Sequence, residues 1–392
     1  MDCVVRSFRH VTTPLRLFHG PDSLAALGPE LGRLDSRRAV IFCGSSLSRD
    51  PSLESIRSAM GERCAGVYAG VRAHSPLPAV EEAAGELKRL GADAVVAVGG
   101  GSAIVTARAA SILLAEGGDA RSLCTSREAT GELRSPKLLA RKLPQLVVPT
   151  TPTTATVKAG SAVLDPVDGK RLALFDPKTR ASAVFIHPDF LATPSRELVV
   201  SAGLNTLAMA MEGLMSRRGD PISDALLIHA LRLLALHLPR VHRADALDAR
   251  SDLMLASILC GQGTDHTGAG ITIPLGHAIS ARFHVDNGIV NAILMPYALR
   301  FNAQAAQEGL QKLGTSLGLR QTEGAARVGP VIDAFEEIFR GLGTPRRLRD
   351  VGVTREALAD MAAISMEDWF VRDNPRKVSG ANELRLVLEE AW

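Results

Sequence analysis

Ala94–Ser102 reads AVVAVGGGS: five small or β-branched apolar residues, three consecutive glycines, then a serine. A short unbroken apolar run is the pattern of a strand covered on both faces, and the glycines that follow mark a sharp turn. The apolar character resumes from about Ala103 to Ala115 as a helix. Upstream, Pro78–Leu90 (PAVEEAAGELKRL) sets apolar residues on one side and Glu81, Glu82, Glu86, Lys88 and Arg89 on the other, an amphipathic helix that Gly91 caps. Further out, Ala39–Cys43 (AVIFC) is a second buried strand ending in the turn Gly44-Ser45-Ser46, and Leu146–Val148 a third, entering the threonine-rich turn Pro149–Thr156. Strands alternating with helices predict a parallel sheet with helical cover.

Beyond Pro194 the strand pattern stops. Helices are expected over 198–216, 222–238, 248–261, 289–305 and 326–340, separated by Gly and Pro signals. The division predicted is therefore an α/β domain over 1–192 and an all-helical domain over 193–392.

Length and composition agree. A chain of 392 residues, 46% hydrophobic and 22% charged, has the make-up of a folded protein of about two domains. Lys plus Arg is 45 against 42 for Asp plus Glu, a net charge of +3, and aromatic residues are 4%. That balance argues against a nucleic-acid partner. Cys3, Cys43, Cys64, Cys124 and Cys260 are scattered, without CxxC or Cys/His ligand spacing, as in a reducing compartment. The first residues lack the apolar core of a signal peptide, and no uninterrupted apolar run reaches about 18 residues. A soluble cytoplasmic protein with a small-molecule substrate and no membrane partner is expected.

Two segments carry chemistry. Gly99, Gly100 and Gly101 let the backbone approach a pyrophosphate, while the first amides of the following helix point at the charge. Ser102 can cap that helix or donate to a phosphate oxygen. The spacing is neither GxGxxG nor GxxxxGK[ST], and a ligand-free tight turn has the same residues. The second segment, Val148–Lys158 (VPTTPTTATVK), sets a row of hydroxyls at a strand's carboxyl end, where open α/β sheets bind ligands.

The order GGGS, PTT, a basic residue before Asp176-Pro177, SAGLNTLAMAMEGLMS and IPLGHAISARFHVDNGIVNAILMPYALRFN resembles the iron-containing (group III) alcohol dehydrogenase family, with Asn374-Pro375-Arg376 similar to its closing motif. The AGVRAHSPLP stretch at Ala69–Pro78, and Asn205 where an aspartate is usual, look nearer to the maleylacetate reductase branch. The resemblance implies a nucleotide-binding α/β domain followed by an all-helical domain, the dehydroquinate synthase-like arrangement, with the active site in the cleft between them and a homodimeric assembly. It implies that Gly99, Gly100, Gly101 and Ser102 hold a dinucleotide pyrophosphate, that Thr150, Thr151 and Thr154 line the nicotinamide half, and that Arg171 stands at a cofactor-contacting lysine. The family's Asp and Lys after GGGS are replaced by Val105 and Arg108. An acidic residue common after the first strand is replaced by Gly44 and Ser45, so NADP is expected to be accepted alongside NAD.

Metal-dependent members use an Asp and a His four apart on one helix and two further His. The corresponding residues here are Asn205, Met209, Ile273 and Asn287. Neutral amides, a thioether and a branched alkane do not replace carboxylate and imidazole around iron or zinc, so no catalytic metal is expected. The remaining candidates are His277 and His266 as proton donors, and Lys158, Asn205, Met209 and Asn287 as substrate contacts, each also readable as ordinary packing. The expected activity is a metal-independent NAD(P)H-dependent reductase of a small oxo-acid or unsaturated acid, maleylacetate reductase-like. The alternative is a redox-silent lyase, isomerase, decarboxylase or cyclase on the same scaffold.

Overall fold

The computed structural model describes residues 7–128, 133–167, 169, 171–242, 246–320 and 328–392. The strands are β1 (Arg16–His19), β2 (Ala39–Gly44), β3 (Cys64–Val71), β4 (Ala94–Gly99), β5 (Ser126–Arg127), β6 (Leu133–Arg134), β7 (Gln145–Pro149), β8 (Gly160–Leu164), β9 (Arg171–Phe175) and β10 (Ala181–Ile186). Six of them form one all-parallel sheet in the order β1-β10-β7-β4-β2-β3. The three expected strands, β2, β4 and β7, lie side by side at its centre.

Alternation of side chains builds two cores from the same strands. Val40, Phe42, Val95, Ala97 and Val147 join one buried cluster. Their neighbours Ile41, Val96, Val98, Leu146 and Val148 join another. Helices α1 (Leu27–Arg33) and α2 (Leu53–Met60) cover the second face; α3 (Leu77–Arg89) and α4 (Gly101–Glu116) cover the first. The short helix α5 (Pro188–Ala192) follows β10.

The helical part comprises α6 (Arg196–Met215), α7 (Pro221–His237), α8 (Leu247–Thr267), α9 (Thr272–Phe283), α10 (Asn287–Asn302), α11 (Gln307–Ser316), α12 (Val328–Leu342), α13 (Leu358–Ser365) and α14 (Ala381–Ala391). Leu275, Ile279, Leu294, Met361 and Leu388, from four of these helices, share one buried cluster. The architecture is thus a parallel-sheet α/β domain followed by a helical one.

The chain separates into two compact units, one of Leu15–Gly203 with Arg240–Gly261, the other of the N-terminal segment through Pro14 with Leu204–Pro239 and Gln262–Trp392. The expected crossing near residue 192 lies close to one of the observed ones, but the units also exchange segments. Met254 and Ile258 of α8 belong to the α/β core, which accounts for the first exchange.

Sequence and structure differ in places. Helix α8 runs past Gly261 because that glycine is required by proximity: a Cβ there would lie 2.4 Å from Val157 Cγ2. Helix α9 was not expected. Nor were β1 and β3, edge strands whose partial exposure breaks the apolar run, or the antiparallel β8–β9 hairpin. Two helical stretches, Arg196–Met215 and Pro221–Arg240, have the length and apolarity to cross a membrane, and 83% of the first is buried within the fold, as in a core helix. Cys43, Cys124 and Cys260 are buried and, among the described residues, in no disulfide; Cys3 lies outside the described residues.

Candidate functional site

In the α/β unit, Gly99 pairs with Pro149 across adjacent parallel strands, and the Thr150 amide donates to the Gly99 carbonyl at 3.0 Å. The glycine turn and the threonine turn are therefore tied together at the carboxyl ends of β4 and β7. Gly99 has φ +145°, a conformation closed to other residues, and a Cβ on Gly100 would lie 2.9 Å from Thr151 Oγ1. Helix α4 opens at Gly101 without a side-chain cap. The Gly101 and Ser102 amides, in its first turn, precede any intrahelical acceptor and stand ready for an anion.

Thr150, Thr151 and Thr154 are buried in the turn that follows β7. The Ser102 hydroxyl accepts the His74 amide at 3.2 Å, while the Ser102 carbonyl accepts the Ser75 hydroxyl at 3.1 Å. His74 and Ser75 both have positive φ, 62° and 49°, so the AHSP loop is held in a strained fold against the first turn of α4. Ser102 is thereby positioned by that loop as well as by its helix.

Arg108 is fully buried, and its guanidinium donates to the Gly160 carbonyl at 2.6 Å and the Ala155 carbonyl at 2.7 Å. It braces the threonine turn against β8. Arg171 is the first residue of β9, opposite Leu164 in the hairpin, and is half-buried. Lys158 is half-buried between the threonine turn and β8; its neighbours are fixed by Arg180, donating to the Val157 carbonyl, and by Thr179, donating to the Ala159 carbonyl.

In the helical unit, Asn205 and Met209 stand one turn apart on α6. The Asn205 Oδ1 accepts from Asn291 Nδ2 at 2.9 Å. Asn287, which opens α10, lies one turn before Asn291, and both have a buried Oδ1 that no hydrogen bond satisfies. Met209 and Ile273 are buried apolar side chains. Two carboxamides, one already bonded to a third, with a thioether and an alkane, do not fit iron or zinc. The carboxamides of Asn205 and Asn287 are chemically able to bond a neutral or anionic oxygen.

His277, on α9, has Nδ1 3.0 Å from Asp368 Oδ2, and the other Asp368 oxygen accepts the Phe370 amide at 3.0 Å. The carboxylate is held by the turn it caps and in turn holds the imidazole, leaving Nε2 to exchange a proton. Asp368 escaped the sequence reading because it lies 91 residues from its partner. His266 has a separate partner set: its ring stacks on His10 at 3.9 Å and its Nε2 lies 3.2 Å from the Val11 carbonyl.

Glu212 is a further residue that the pattern of α6 concealed. Its carboxylate is fully buried and accepts the Gly270 and Thr272 amides at 2.8 and 2.6 Å. Burial pushes its pKa up, against the opposing pull of the Thr272 and Gly270 bonds.

A glycine turn with open helix amides beside a buried threonine turn, on a parallel sheet in a chain that continues as helices, is an arrangement able to hold an anionic ligand. Residues 14–188 match the iron-containing alcohol dehydrogenase family and residues 199–391 its C-terminal part, so the chain belongs to that family. It is 28% identical over 383 residues to lactaldehyde reductase of Escherichia coli K12, covering 95% of this chain and 97% of that one. It is 26% identical over 376 residues to maleylacetate reductase of Sphingobium indicum, covering 95% and 94%. The fold superposes on 1,3-propanediol oxidoreductase with a TM-score of 0.90 at 22% identity, over 99% of this chain and 100% of the other. It also superposes on maleylacetate reductase from Agrobacterium tumefaciens, with a TM-score of 0.78 at 22% identity over 99% of each. These relatives are oxidoreductases by name.

Proposed function

We propose that this chain is a nicotinamide-dependent reductase of a small oxo-acid or unsaturated acid that works without a metal at Asn205, Met209, Ile273 and Asn287. One observation carries the reading: the glycine and threonine turns are joined at the carboxyl edge of the sheet, while the donor set on the helical unit is amide and apolar. The nicotinamide, when bound, supplies hydride. The Gly101 and Ser102 amides and the Thr150, Thr151 and Thr154 hydroxyls bind and orient the nucleotide. Asn205 and Asn287 bond the substrate oxygen as charge develops on it. His277 delivers the proton from Nε2, with Asp368 as its positioning residue. Gly44 and Ser45 close β2 without a carboxylate, which supports acceptance of NADPH beside NADH.

The test is calorimetric titration with NADH and NADPH, using wild type and Gly100→Val. Micromolar binding to the wild type, weakened at least about 100-fold in the variant by backbone exclusion, supports the reading. No binding at millimolar nucleotide transfers the assignment to redox-silent chemistry. Turnover that persists after chelation supports the metal-free part; turnover abolished by chelation and restored by iron or zinc overturns it.

A further inference from the structure

We propose that His10, Asp220 and His266 form a binding site for a divalent transition-metal ion, on residues apart from the four positions above. They come from three segments of the helical unit: the N-terminal stretch, the residue before α7, and the last turn of α8. One ligand atom from each lies within 4.8 Å of the others. His10 Nδ1 sits 3.2 Å from Asp220 Oδ1, and the His10 and Asp220 side chains are only 6% and 4% exposed. The two imidazoles stack at 3.9 Å with 25° between their planes.

The surroundings orient this set as the outer groups of a metal site do. Asp220 Oδ1 accepts the Ile222 and Ser223 amides at 2.9 and 3.1 Å, and Oδ2 accepts the Ser223 hydroxyl at 2.6 Å. The carboxylate is thus fixed from the helix side whether or not His10 is bonded to it. The Val11 carbonyl, 3.2 Å from His266 Nε2, takes the proton there and leaves Nδ1 with its lone pair. A ligating histidine commonly donates its other ring N–H to a backbone carbonyl in this way. Two imidazoles and one carboxylate suit zinc or cobalt and leave a position for water. Tetrahedral zinc with bonds of about 2.0 Å places its ligand atoms about 3.3 Å apart, so the set contracts and the stacked rings turn on binding. The bound ion would clamp the N-terminal segment to α7 and α8.

The experiment titrates chelator-stripped full-length protein with Zn2+ by calorimetry and with Co2+ by visible absorption. Wild type, His10→Gln, His266→Gln and the double variant Asn205→Ala/Met209→Ala are compared, with circular dichroism checking that each is folded. One equivalent bound by wild type and by the double variant, weakened at least 100-fold in both histidine variants, supports the site. No uptake by wild type overturns it, as does uptake that both histidine variants retain. Uptake lost only in the double variant places the ion at the α6 positions and overturns both this site and the metal-free reductase. The nucleotide titration of Gly100→Val is independent of every one of these outcomes.

Discussion

Two buried carboxylates, one in each unit, are held in opposite ways. In the α/β unit, Lys142 is completely buried and pairs with Asp176 at 3.0 Å and Glu116 at 2.5 Å, while Lys178 also reaches Asp176. Burial alone would raise the Asp176 carboxyl, but the Lys178 amide and the two ammonium groups hold it below its usual value. In the helical unit, buried Glu212 has backbone amides for partners, and burial wins, raising its pKa. The lesson concerns linkage. Asp176 contributes stability that is present above the unfolded carboxylate pKa and lost as pH falls through its lowered folded value. Glu212 contributes most below its unfolded pKa, and that contribution is lost as pH rises through its raised folded value. Asp176 thus weakens the fold toward acid and Glu212 away from it.

The largest expected effect concerns the chemistry rather than stability. His277→Ala should lower kcat on the order of 1000-fold, about 4 kcal/mol, whereas Asp368→Asn should lower kcat about ten-fold to 100-fold with KM little changed and an altered pH profile. Unchanged turnover in His277→Ala would remove the proton-donor role. Next, Lys142→Met leaves Asp176 and Glu116 without their shared cation and should destabilise by about 3 kcal/mol in urea unfolding, with a weaker acid dependence. Glu212→Ala strands the Gly270 and Thr272 amides and should cost about 2 kcal/mol, while flattening the fall in stability toward higher pH. If both variants shift the pH dependence in the same direction, the contrast between Asp176 and Glu212 fails. The smallest effect is Asn205→Ala, which removes the acceptor for Asn291 and should cost about 1 kcal/mol with a rise in KM.

Much of the α/β unit was legible because buried central strands write themselves as continuous apolar runs: β2, β4 and β7 were placed to within a residue at most ends. The edges were not, since β1 and β3 are partly solvent-facing and lack that run. The glycine and threonine turns were legible through their chemistry, and their direct hydrogen bond follows from strand adjacency. On the helical side, the placing of Asn205 and Met209 one turn apart on a helix could be read. The partners that decide the local chemistry could not: Asp368 beside His277, Asn291 beside Asn205 and His10 beside His266 are set by tertiary packing across 91, 86 and more than two hundred residues. In sequence Arg108 is only the replacement for the family's lysine after GGGS; its carbonyl partners make it a brace for the threonine turn.

That brace has a further consequence. With Arg108 gripping its far end and the Thr150 amide joined to Gly99 at its near end, the threonine turn is anchored at both ends before any ligand arrives. A guest that fits then forfeits little chain entropy on docking, since the host surface is preassembled. A ligand docking on this turn would meet a contour largely set in advance, so its shape would weigh in its selection before any bond changes hands.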